Sequence, residues 1–173
     1  MPTFELIATT ASTSGTITFS AIPQTYTDLY IKGVARNSSA GSNTGFDYRI
    51  NGSTTTSHYR QWRYEGYLGG TSAFTSYNGT QTAFVSRYIT ASGDSANDFT
   101  PIEIYFGKYS TATAKSMYYH AASWGFGNSR AFLEQYYNYF DNATAITSID
   151  LISSGGTGFA SGTQFWLYGI KNT

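Results

Sequence analysis

Apolar and polar residues alternate at every second position in short segments along the whole chain, as in Gly15-Thr16-Ile17-Thr18-Phe19-Ser20 and Phe46-Asp47-Tyr48-Arg49-Ile50. A pleated strand turns successive side chains to opposite faces, so this period gives half-buried β-strands and excludes an amphipathic helix. The segments are separated by loops rich in Gly, Ser, Thr and Asn. The expected strands are Phe4–Thr9, Gly15–Ile22, Asp28–Arg36, Phe46–Asn51, His58–Tyr67, Thr80–Tyr88, Thr100–Gly107, Met117–Trp124, Ala131–Phe140, Ala145–Ile152 and Thr163–Lys171. Within Ala131–Phe140 the first five residues also suit a helical turn, whereas Tyr136-Tyr137-Asn138-Tyr139-Phe140 favours a strand. Asn51-Gly52 and Asn78-Gly79 are turn signals, since both residue types tolerate positive φ.

About ten strands without helical crossovers imply antiparallel pairing, because parallel neighbours need long connections. The expected fold is all-β, two packed antiparallel sheets forming a sandwich or jelly roll. A chain of 173 residues buries roughly 70% of its unfolded surface as one unit, so residues 1–173 are read as a single domain. Its first ten or so residues are a possible N-terminal arm. Cysteine is absent, which removes disulfides and thiolate metal sites.

Charged residues make up 12% and the formal net charge is zero. That balance argues against a nucleic-acid partner, which calls for a basic field, and against a polybasic membrane binder. No apolar run approaches the roughly 20 residues that span a bilayer, and the start lacks the pattern of a signal peptide.

Three segments resemble virion structural proteins of tailed bacteriophages, including those of cyanobacterial hosts. They are Ser14-Gly-Thr-Ile-Thr-Phe-Ser-Ala-Ile-Pro-Gln-Thr-Tyr-Thr-Asp-Leu-Tyr-Ile31, Tyr48-Arg-Ile-Asn-Gly52, and Ser161-Gly-Thr-Gln-Phe-Trp-Leu-Tyr-Gly-Ile-Lys171, together about a fifth of the chain. The resemblance implies a jelly-roll module, a homotrimer, and a place on the capsid surface after synthesis in the host cytoplasm. It implies a decoration or cement protein that contacts the major capsid protein. The alternative it leaves is a tail-fibre module that recognises host surface glycans. It carries over no residue that performs chemistry, because the matching motifs read as strands and turns.

The residues themselves point the same way. The two histidines, His58 and His120, lie on separate strands, and no motif pairs two of the ten carboxylates as a glycosidase requires. Asp94 and Asp98 share a loop without the Asp-rich spacing of a calcium site. Nucleophile-elbow and phosphate-loop motifs are absent. The expectation is a non-enzymatic protein without cofactor or metal.

Aromatic residues reach 18%, with sixteen Tyr, and two clusters are candidate interfaces. One is Tyr59, Trp62, Tyr64 and Tyr67, interleaved with Arg60 and Arg63. The other is Tyr136, Tyr137, Tyr139 and Phe140. Tyr, Trp and Arg dominate protein–protein hot spots, and aromatic platforms also stack on sugar rings. The competing reading is that alternate members fill the core.

Overall fold

The computed structural model describes residues 1–40, 45–67, 72–86, 88–94, 97–125, 130–154 and 158–172, without the side chains of 67, 125 and 130. Its strands are β1 (Thr3–Ala11), β2 (Thr16–Phe19), β3 (Asp28–Ala35), β4 (Phe46–Ile50), β5 (Tyr59–Tyr67), β6 (Ala73–Asn78), β7 (Phe84–Val85), β8 (Thr100–Phe106), β9 (Lys115–Gly125), β10 (Arg130–Phe140), β11 (Ile149–Ser153) and β12 (Gln164–Lys171). One 3-10 turn, Thr56–His58, precedes β5. No helix among the described residues is long and apolar enough to cross a membrane.

All the named ladders are antiparallel, in an eight-stranded sheet ordered β1-β12-β3-β8-β9-β10-β5-β6 and a four-stranded sheet ordered β2-β11-β4-β7. With the pairs β5–β6 and β9–β10 set aside, eight strands remain. The first of these pairs with the last (β1 with β12), the second with the second-last (β2 with β11), the third with the third-last (β3 with β8), and the middle two with each other (β4 with β7). This nesting is one long hairpin rolled over two sheets, which is a jelly roll. The two additional pairs extend the large sheet beyond β8 and double its width.

The core lies between the sheets. Ile17, Phe19, Phe46, Tyr48, Ile50, Ile149 and Leu151 of the small sheet meet Leu29, Ile31, Ile102, Ile104, Phe106, Tyr119, Tyr136, Phe165 and Leu167 of the large one. At its centre Phe46 stacks on Tyr119 at 6.0 Å and on Phe165 at 5.7 Å between ring centroids. Phe165 lies across Gly33, its partner on β3, where a Cβ would stand 2.2 Å from the ring. Any larger residue there displaces the ring, so close approach explains this glycine. Gly158 adopts φ +89° with the Thr13 carbonyl packed beneath it, a conformation that favours glycine.

Several elements differ from the sequence expectation. β6 was not anticipated: its two large residues, Phe74 and Tyr77, have opposite parity, so no alternation marks it. The expected strand Thr80–Tyr88 contracts to the two residues of β7. β11 begins only at Ile149. Before it, the Asn51 side chain donates to the Ala145 carbonyl (2.8 Å) and accepts from the amides of Thr147 (2.8 Å) and Ser148 (3.1 Å), in place of a ladder. Residues 130–140 are strand throughout, with no helical turn. Residues 3–11 are strand β1, in register with β12 from Thr3 opposite Lys171 to Ala11 opposite Gln164, with a bulge between Leu6 and Ala8.

Candidate functional site

Strand parity divides the two aromatic clusters between the faces of the large sheet. Tyr59, Tyr136 and Phe140 point inward and are buried, so these three belong to the core and not to an exposed interface. Tyr59 donates its hydroxyl to the Ser53 carbonyl at 2.7 Å and packs on Phe84 and Phe140. Trp62, Tyr64 and Tyr137 point outward and are exposed, and Tyr139 is half-buried on the same face. The side chain of Tyr67 lies outside the described residues.

The ladder register extends this outer surface well beyond the two clusters. Tyr168 on β12 stands opposite Tyr30, Tyr30 opposite Tyr105, Tyr105 opposite Tyr118, Tyr118 opposite Tyr137, and Tyr137 opposite Trp62. Six aromatic side chains therefore form one unbroken row across six strands, with Leu6 of β1 at its end. At ~4.8 Å between strands the row with Leu6 runs about 30 Å. Tyr105 and Tyr118 stack at 5.2 Å, and Phe4 meets Tyr30 edge-on at 6.0 Å. Burial raises the Tyr105 hydroxyl to about 12, helped by Asp28, and raises Tyr30 further, helped by Glu103. Both therefore stay neutral hydroxyls at physiological pH.

One row along lie Trp166, Lys32, Glu103, His120, Gln135, Tyr64 and Phe74, polar in the middle and aromatic at both ends. Among the described residues, apart from Met1, every large hydrophobic residue found exposed (Phe4, Leu6, Trp62, Tyr64, Phe74, Trp124, Leu133 and Tyr137) lies on this face. Exposed apolar side chains thus gather at both ends of this face, on β1 and on β5, β6, β9 and β10.

Behind the aromatic face, the interior at β5 and β10 is polar. Glu65 and Glu134 stand directly opposite each other in register, 5% and 1% exposed. Tyr136 donates its hydroxyl to Glu65 Oε1 at 2.9 Å, and Ser86 donates to Glu134 Oε2 at 3.0 Å while accepting from Tyr119 at 2.9 Å. The Arg63 guanidinium lies 3.7 Å from Glu65, donates to Gln61 Oε1 at 3.0 Å and to the Val85 carbonyl, and covers the Tyr77 ring at 4.4 Å. Burial raises the Tyr119 and Tyr136 hydroxyls far above the usual range, and the nearby Glu134 adds to the shift.

No sequence motif pairs these two carboxylates, because Glu65 and Glu134 are far apart in the chain. The available signal was parity: both share a face with strand residues that the fold turns inward. Neither glutamate lines a cleft described among these residues. The arrangement is a hydrogen-bonded core network, in which buried charges are held by partners.

His58 accepts or donates at Nδ1 to Ser53 Oγ (2.9 Å) and packs edge-on against Phe140, whereas His120 lies on the outer face over Tyr118. Asp94 accepts from the Ala91 amide at 2.9 Å and closes its own loop. Among the described residues no group of three His, Asp or Glu side chains is placed to hold a metal ion. No family model matches this chain, and neither any curated protein nor any solved structure matches it.

Proposed function

We propose that the chain is a non-enzymatic structural protein of a tailed-phage virion, a homotrimeric decoration or cement protein that docks on the capsid through the outer face of its large sheet. The observation that carries this reading is the unbroken row Tyr168–Tyr30–Tyr105–Tyr118–Tyr137–Trp62 on a face that also holds the exposed apolar side chains. Tyrosine and tryptophan give large contact area with only two side-chain torsions to freeze, which suits them to interface anchors. The mechanism is geometric: a rigid sandwich spans the seam between capsid subunits, and the area it covers opposes their separation. The low charge of the chain fits, since the centres of interfaces are depleted in charge.

The test is co-sedimentation of the purified protein with empty heads of the phage that encodes it, beside analytical ultracentrifugation of the protein alone. The expected results are a trimer in solution and saturable binding to heads that Trp62→Ala and Tyr137→Ala each abolish while leaving the melting temperature nearly unchanged. A monomer that ignores heads, or head binding indifferent to both substitutions, overturns the reading.

A further inference from the structure

The outer face of the large sheet is not uniform. At the end of β8, β9, β10 and β5 it sinks into an open cleft of about 720 Å³. The sequence makes it sink. In the row that crosses Leu133, the neighbours on either side are Ala122 and Gly66, the smallest side chains available. One position further on, Trp124 rises to 50% exposure, and on the other flank Tyr64 rises to 44%. Phe99, Pro101 and Asp98 also line it. A smaller hollow of about 220 Å³ adjoins it through Pro101, Ala122 and Leu133 and adds Glu103, His120 and Gln135. The result is one groove with an aromatic end and a polar end. The larger hollow lies within the 300–1,000 Å³ typical of ligand sites.

We infer that this groove binds a neutral oligosaccharide, with a pyranose ring lying against Trp124 or Tyr64 and its hydroxyls on Glu103, His120 and Gln135. Three features select this chemistry. The floor is the interior of a sheet whose backbone groups are already in ladders between β8, β9, β10 and β5, so an extended peptide finds no main-chain partners there. Among the described residues the lining holds two carboxylates, Asp98 and Glu103, and no Lys or Arg, a charge balance that disfavours phosphates, nucleic acids and acidic sugars. A pyranose presents an apolar C–H face and a rim of hydroxyls. It therefore fits an aromatic platform beside a carboxylate acceptor, an amide that both donates and accepts, and an imidazole. The inference goes beyond the capsid reading and does not depend on it, because sugar binding is measured on the isolated protein and head binding by sedimentation, and each can fail alone.

The experiment is isothermal titration of the purified protein with maltohexaose, cellohexaose and mannohexaose, with heparin as the anionic probe and tryptophan fluorescence recorded in parallel. At least one neutral probe is expected to bind saturably, and heparin is not. Trp124→Ala should weaken that binding at least about tenfold, the loss typical of an aromatic anchor. Gly66→Leu should do the same by filling the floor without removing a polar group. Among the described residues a Cβ at Gly66 meets Ser72 Oγ alone, at 3.6 Å, an ordinary contact, so this variant is expected to fold and decides the matter if Trp124→Ala does not. Leu6→Ala, on the same face but on β1, should bind as the parent does. Silence from all three neutral probes, binding of heparin alone, or binding that survives both groove substitutions overturns the inference.

Discussion

On β3, β8 and β12 the side chains turned into the sandwich include Leu29, Ile31, Ile102, Ile104, Phe106, Phe165 and Leu167, all fully or nearly fully buried. On β5 and β10 the inward positions include Gln61, Arg63, Glu65, Glu134 and Asn138, equally buried, among Tyr59, Tyr136 and Phe140. One half of the large sheet thus belongs to the nested jelly-roll frame and is sealed by apolar packing. The other half comes from the two inserted strand pairs and is sealed by hydrogen bonds and an ion pair. Both halves carry aromatics outward. In the inserted half the usual rule inverts on β5, where Trp62 and Tyr64 face solvent and Arg63 and Glu65 face the core. Apolar packing tolerates a lost contact at the cost of a cavity, whereas a charge network also exposes the remaining partner to desolvation without compensation.

The contrast can be broken most sharply in the apolar half. Phe165→Ala removes the ring that joins Phe46 and Phe159 and should cost about 4 kcal/mol in denaturant unfolding, with little dependence on pH. A loss under about 1 kcal/mol would show that the frame collapses around the gap and would dissolve the distinction. In the polar half, Arg63→Met removes the guanidinium beside Glu65 while roughly keeping its volume, and should cost about 3 kcal/mol. A variant as stable as the parent would mean that the network is dispensable.

Asp47, which feels the charges of Arg63 and Arg49, sharpens the comparison through pH. Burial is the main cause that raises its carboxyl from 3.8 to about 6, and its Oδ1 has no hydrogen-bond partner. Between about pH 4 and pH 6 the folded chain keeps a proton that the unfolded chain has released, so stability falls as pH rises through that window. Asp47→Asn should therefore stabilise the protein at pH 7 by on the order of 2 kcal/mol and leave it unchanged near pH 4. An equal effect at both pH values would contradict this assignment. The smallest effect belongs to the outer face: Tyr137→Ala should shift stability by less than about 0.5 kcal/mol in thermal unfolding, although its chain neighbour Tyr136 is a buried core residue.

These two neighbours show how far the sequence can be read. The alternation located most of the frame strands, because in Phe46-Asp47-Tyr48-Arg49-Ile50 the apolar set and the buried set coincide. It sorted β5 and β10 into two faces but not into inside and outside, since both faces carry aromatics and the inward one carries charge. The candidate clusters accordingly mixed core residues, Tyr59, Tyr136 and Phe140, with surface ones. β6 escaped detection because nothing covers its edge among the described residues and no periodic burial shapes its composition. The aromatic row, the groove and the Glu65–Glu134 pair are products of register. Each depends on which residue of one strand lies opposite which residue of another, and single-strand patterns do not encode that relation.

Because β1 runs beside β12 with Thr3 across from Lys171, the first and last strands hold each other as immediate neighbours. A tether of a few residues from Lys171 to Thr3 would join these two strands without disturbing either sheet, and the backbone could then be opened at an exposed loop tip elsewhere.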